Sequence, residues 1–306
     1  MSAALARHCD GYLASRSAVL LLPALAMALI SGDPRWLSAG MLAVCCLIAM
    51  ERGRLGIRAA ALQAVLALAG CLLLAWLWRW PVWFALACGL AAELGCRLGR
   101  RRAAWRSVAN FTFIPALYLG YEMAERGAVL SAELPWLAGG ALAAWALHLL
   151  AGRVGGAERK PGESPAFGLA FVCVGLLAWW AAASRLPYGQ WLVWSAASVC
   201  VGGWAAVRSK SWQRVSAALI GVPCGVALGL ALSDSAPLAW AMAAAGMLSL
   251  TLFRAYRPAF AARSMLAAAH LTLVGGLGLA RLLDVGAAAA LVLLVLAVGG
   301  WLASPR

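Results

Sequence analysis

Apolar residues along the chain gather into twelve runs, separated by short stretches that carry Arg, Lys, Gly or Pro. The runs cover 17–31, 36–50, 59–79, 82–99, 106–122, 134–151, 166–185, 189–207, 214–232, 237–255, 261–281 and 285–303. Within them the apolar positions are nearly continuous and do not alternate with polar ones, which suits helices in lipid and not barrel strands. Several runs are shorter than the ~20 residues that cross a ~30 Å hydrocarbon core, so tilted helices or a locally thinned bilayer are expected. The pattern predicts an all-α polytopic membrane protein with about twelve transmembrane helices.

Composition agrees. Hydrophobic residues make up 64% of the 306 and charged residues 12%, too few to clothe a soluble surface of this size. The net charge of +14 would suggest nucleic acid in a soluble chain, but its placement gives a different account. If twelve helices span, the termini and even-numbered loops share one side. That side receives Arg7, Arg16, Arg52, Arg54, Arg58, Arg97, Arg100, Arg101, Arg102, Arg106, Arg153, Arg159, Lys160, Arg208, Lys210, Arg214, Arg254, Arg257, Arg263 and Arg306. The other side receives only Arg35, Arg79, Arg126, Arg185 and Arg281. By the positive-inside rule both termini are cytoplasmic, the expected location is the bacterial inner (plasma) membrane, and the partner is the lipid bilayer with no role for nucleic acid.

A shift of 156 residues superposes Arg52 on Arg208, Arg54 on Lys210, Arg58 on Arg214, Pro81 on Pro237, Arg101 on Arg257, Gly120 on Gly276 and Trp145 on Trp301. This predicts two parallel six-helix repeats, 1–155 and 156–306, joined by the Gly- and charge-rich stretch 153–165 and related by a pseudo-two-fold axis along the membrane normal. The run 17–31 has the look of a signal peptide, but its counterpart at 173–187 argues for a structural helix. The two halves differ in chemistry: Gln63, Glu93 and Asn110 in the first stand where the second has Leu219, Ser249 and Leu266.

Glu93, a costly intramembrane carboxylate, and His270 are candidates for proton coupling. The plainer accounts are an i,i+4 pair of Glu93 with Arg97 and a neutral His270 bonded to a neighbouring helix. Asn110, Tyr118, Tyr121 and Gln63 are candidates to line a substrate path, or else to bond between helices and anchor at the interface. Arg58 and Arg214 stand where basic loops enter the third and ninth helices, suited to drawing organic anions inward or to holding anionic lipid. Gly221, Gly225 and Gly229 form a small-xxx-small ladder for close helix packing; Val65, Ala69 and Leu73 replace it in the first half, so close packing is expected in one half only. Most of the nine cysteines lie within apolar runs without metal-ligand spacing, and no motif for hydrolysis, metal or phosphate chemistry occurs. No cofactor, metal or enzymatic activity is expected.

The segment 188–276 carries "YGQWLVWSAASV", "RSKSWQRVSAALIGVPCGVALG" and "FRAYRPAFAARSMLAAAHL". Gln190-Trp191, a basic loop from Arg208 to Arg214, Arg214 leading into Gly221 and Gly225, and Phe253 to Arg257 resemble the fusaric acid resistance protein-like family of the aromatic acid exporter superfamily. Ile220 stands where the family usually has Thr. The stretch 34–120 resembles the same module more weakly through Trp36, Arg52, Arg58 and Arg101. The resemblance implies efflux of small, aromatic organic acids, sometimes with a periplasmic adaptor protein. Proton coupling is the drive expected for a chain without a nucleotide-binding motif, and a homo-oligomer is a further candidate state. Related readings are a passive organic-anion channel and a non-transport subunit of a larger efflux or biosynthetic assembly.

Overall fold

The computed structural model describes residues 10–150, 168–200, 203–232, 235–253 and 255–303. The predicted linker 153–165, and with it the boundary between the proposed repeats, lies outside the described residues, as do Arg7, Arg254 and Arg306. Regular structure among the described residues is helical. The first six helices are α1 (Gly11–Ser31), α2 (Arg35–Gly53), α3 (Ile57–Leu77), α4 (Pro81–Arg101), α5 (Ala103–Glu125) and α6 (Leu130–Leu150). The last six are α7 (Leu169–Ala183), α8 (Gln190–Val199), α9 (Trp204–Ala231), α10 (Ala236–Leu252), α11 (Tyr256–Gly275) and α12 (Ala280–Ala303). The molecule is a multi-pass membrane protein in which six helices (α1, α2, α3, α4, α9 and α12) are long and apolar enough to cross a bilayer, while α7 and α10 are apolar but shorter.

Helix ends follow local chemistry. Gly32 closes α1 in a left-handed conformation, φ 69°, which a residue without Cβ adopts freely. In the turn that follows, Arg35 donates to Asp33 from Nη2 at 2.6 Å, and this hydrogen-bonded guanidinium holds the Asp33 carboxyl below its usual range. Pro81 begins α4, where its missing N–H costs nothing.

One boundary departs from the sequence expectation. The eighth run was expected to be helical to 207 and the basic stretch 208–214 to be a loop. Instead α8 stops at Val199, Gly203 is extended, and α9 begins at Trp204, so the basic stretch is helical. Trp, Ala, Arg, Lys and Gln sustain a helix outside lipid as well as within it, and a glycine interrupts it more readily than charges do. The ten residues of α8 rise only ~15 Å, about half of a hydrocarbon core.

Helix α2 is the most enclosed: Leu42, Val44, Cys45, Cys46, Leu47, Ile48, Ala49 and Met50 are all buried, with α1, α3, α5, α6 and α10 around it. Seven of the eight described cysteines are buried, as small core residues would be, but Cys224 is exposed on α9.

The glycine ladder faces α11. A Cβ on Gly221 would collide with the Ala261 carbonyl oxygen and one on Gly225 with that of Met265; at Gly229 it would stand 3.0 Å from that of Ala269. The first half also packs closely, contrary to expectation, with the glycines elsewhere. A Cβ on Gly70 of α3 would stand 2.8 Å from the Ala116 side chain, and one on Gly120 of α5 would stand 2.9 Å from the Cys71 carbonyl oxygen. The α3–α5 contact therefore draws on both helices, whereas the α9–α11 ladder lies on one.

Candidate cavity between the helix halves

Helices α2, α5, α8, α10, α11 and the start of α12 enclose a cavity of about 550 Å³. Its rim includes the exposed Glu125, Arg126 and Pro187, at the end of the bundle that carries the odd-numbered loops. Its inner wall reaches Phe260, which is 1% exposed. Along α5 the lining residues Ile114, Tyr118, Glu122 and Glu125 form one stripe at helical spacing. The cavity lies where backbone packing opens: α2 lies close along α5, while α8 and α11 make no comparable approach. The shortness of α8 leaves that space.

The walls are aromatic. Trp191 and Trp194 of α8, Trp240 of α10 and Tyr118 of α5 all contribute. Tyr118 meets Trp191 edge-on at 4.8 Å, a favoured arrangement of ring quadrupoles.

Three arginines cluster on the same side. Arg281 and Arg214 are 1% and 2% exposed, and both donate to one hydroxyl: Arg281 Nη1 reaches Ser195 Oγ at 3.1 Å and Arg214 Nη2 reaches it at 3.2 Å. The other contacts of Arg214 are Tyr256 Oη at 3.0 Å and the Phe260 ring, 4.1 Å away. Arg263 lines the cavity and donates to Ser249 Oγ at 3.3 Å. Among the described residues none of the three forms an ion pair; Asp284, one turn from Arg281 on α12, is no exception. Hydroxyls, carbonyls and ring faces contact the three guanidiniums, and Asp284 offsets Arg281 at longer range. Guanidiniums brought together away from water repel each other, and an anion would relieve that cost.

The residues proposed from sequence separate into two groups. Tyr118 and His270 line the cavity, and Arg214 stands behind its wall. His270 Nδ1 lies 2.9 Å from the Ala239 carbonyl oxygen, so that nitrogen bears the proton and Nε2 is the basic one.

The others lie elsewhere. Glu93 pairs with Arg97 at 3.2 Å and accepts from the Gly168 amide. Gln63 donates to Thr112 at 3.1 Å in the α3–α5 contact. Asn110 faces Gly95 of α4. Arg58 is exposed at the start of α3. Tyr121 is fully buried beside Trp78 and donates to the Leu186 carbonyl at 2.6 Å. Tyr121→Phe is expected to lower thermal stability by about 1 kcal/mol; thermal melting of the purified protein checks this.

Sequence reasoning passed over Arg263 and Arg281, which the charge count had placed in loops, and Ser195, which joins two of the guanidiniums. The only sequence signal for Arg281 was its place beside Asp284 at the edge of a predicted span. Gln190, whose buried Oε1 has no partner among the described residues, is a further polar group on the lining. No group of three or more His, Cys, Asp or Glu that could hold a metal ion occurs among the described residues.

Residues 169–295 match the family described as fusaric acid resistance protein-like. The matched segment contains Ser195, Arg214, Arg263, His270 and Arg281, and it points to a role in membrane transport or efflux. Nothing among curated proteins or solved structures matches the chain.

Proposed function

We propose that the protein is an inner-membrane exporter of small organic acids, aromatic ones above all, and that they pass through the cavity between α2, α5, α8, α10 and α11. One observation carries this: an aromatic-walled space of about 550 Å³ meets buried arginines that form no ion pair among the described residues. Rings suit the tryptophans and Tyr118, and a carboxylate suits Arg263 and Arg281. The sequence has no phosphate loop, so ATP would need a partner chain, and the proton gradient is the proposed driving force. His270 is the coupling residue that faces the path; Glu93 has a local partner in Arg97. The role is transport and not catalysis.

The bundle is read as two parallel six-helix repeats with both termini cytoplasmic. Recurrent pairings support this: α3 packs on α5 as α9 does on α11, α2 on α6 as α8 on α12, and α1 on α2 as α7 on α8. Across the middle, α4 packs on α7 as α10 does on α1. In this orientation the cavity faces the outer side, an outward-open state of an alternating-access cycle. In this reading a periplasmic adaptor protein and a second copy of the chain are the candidate protein partners.

Purified protein in liposomes tests the proposal. An imposed pH gradient is expected to drive aromatic acid flux above that of empty vesicles. The dependence on the gradient should disappear in His270→Gln and persist in Glu93→Gln. Flux no greater than in empty vesicles would sink the transport reading, and gradient-independent currents would favour the passive channel.

A further inference from the structure

Arg281 is bonded on one edge only. Nη1 donates to Ser195 Oγ at 3.1 Å and to the Trp191 carbonyl oxygen at 3.4 Å. Nε is buried and has no partner among the described residues, and no hydrogen bond of Nη2 occurs among them either. The guanidinium sits over the Trp191 ring at 4.6 Å and 5.8 Å from that of Phe260, and the residue lines the cavity. The pattern is selective: Arg214, its neighbour on Ser195, uses both terminal nitrogens on protein oxygens.

The Nε and Nη2 hydrogens of a guanidinium point the same way, spaced to meet the two oxygens of a carboxylate. A buried donor left without an acceptor costs stability; Nε is closed to solvent in this state, so a small shift of Arg281 toward the cavity it lines opens the edge to a ligand that fills it. Ser195 and Trp191 fix the opposite edge and the rings fix the plane, which removes most of the freedom that an arginine loses on binding.

We infer that the Nε/Nη2 edge of Arg281 is the docking site for the carboxylate of the transported acid, held in bidentate fashion with the acid's ring against Trp191 and Tyr118. The inference rests on the transport reading of the cavity and adds the residue, and the edge of that residue, that recognises the ligand. Arg263 supplies charge to the same space, but it is already bonded through Nε to Ser249 and holds no free edge of this kind. The site selects a planar carboxylate over an uncharged isostere of the same shape, because the isostere leaves one donor unpaired and the charge unmet.

Isothermal titration of the purified full chain in detergent with benzoate and benzamide tests the site. Wild type is expected to bind benzoate about tenfold or more tightly than benzamide. Arg281→Lys keeps the charge and loses the fork, so benzoate affinity should fall about tenfold or more while benzamide affinity stays level. Equal affinities for the two ligands in wild type would overturn the inference, and that comparison needs no variant to fold. So would undiminished benzoate binding by a monodisperse Arg281→Lys protein, or no benzoate binding at all. Flux in liposomes is read separately. Transport with failed ligand discrimination removes the docking site alone; absent transport removes the functional reading, whatever the titration gives.

Discussion

Gly225→Leu should abolish the monodisperse, folded protein. The α9 backbone passes so close to α11 that even a single Cβ on Gly225 would meet the Met265 carbonyl oxygen, with the Ala268 side chain 2.9 Å away. Backbone cannot swing aside as a flexible side chain can, so the two helices must part. Parting them also undoes the fit at Gly221 against Ala261 and at Gly229 against Thr272. Overpacking one site in a dense interior costs about 1–3 kcal/mol, and here three consecutive turns share the loss. Size-exclusion profiles of fluorescently tagged protein check the outcome. Ile220→Leu, on the exposed face of the same helix, should elute as wild type. A sharp wild-type-like peak for Gly225→Leu with altered ligand preference would instead assign the ladder to substrate recognition.

The same pair of helices separates what sequence can disclose from what it cannot. Apolar runs gave the number and order of helices because a bilayer requires nearly unbroken apolarity, and continuity is visible without knowing the neighbours. A glycine ladder announces a close contact but not its partner, and Gly221, Gly225 and Gly229 could equally have faced a second copy of the chain. The interruption before Trp204 was placed too late because charges were read as the end of a helix, whereas α8 already stops at Val199 and the extended Gly203 leads into α9.

Arg281 and Arg263 escaped for a related reason. The positive-inside count treats any arginine near the end of an apolar run as a loop charge, and only tertiary packing turned these two inward. Arg58 and Arg214 occupy matching places 156 residues apart, yet one is exposed and the other is 2% exposed. Likewise Gln63, Asn110, Tyr118 and Tyr121 are alike as polar groups in an apolar run. Whether such a group meets a helix or a ligand depends on its neighbours, and of these four only Tyr118 lines the cavity.

Loss of Glu51 should destabilise the first half more than loss of any exposed charge. Its carboxylate is 7% exposed and receives Arg16 Nη1 at 2.6 Å and His148 Nδ1 at 2.9 Å. His148 is fully buried, and its Nε2 lies 2.8 Å from the Leu55 carbonyl oxygen. Both ring nitrogens therefore face acceptors. Arg16 also donates to the Leu147 carbonyl, so the cluster ties α1, α2 and α6 together with the turn before α3. Glu51→Ala leaves the Arg16 guanidinium without its counter-charge and the buried His148 ring without its acceptor, at a cost of about 3–5 kcal/mol. Replacing all three by apolar residues, as Arg16→Met, Glu51→Leu and His148→Leu, removes the charges together and should recover much of that loss, because a buried ionic cluster and an apolar one of similar volume are often close in stability. Thermal unfolding in detergent, followed through the native tryptophans, should rank wild type and the triple variant above Glu51→Ala. A triple variant no more stable than Glu51→Ala would mean that the hydrogen-bond geometry of the cluster, and not the balance of its charges, holds these helices together.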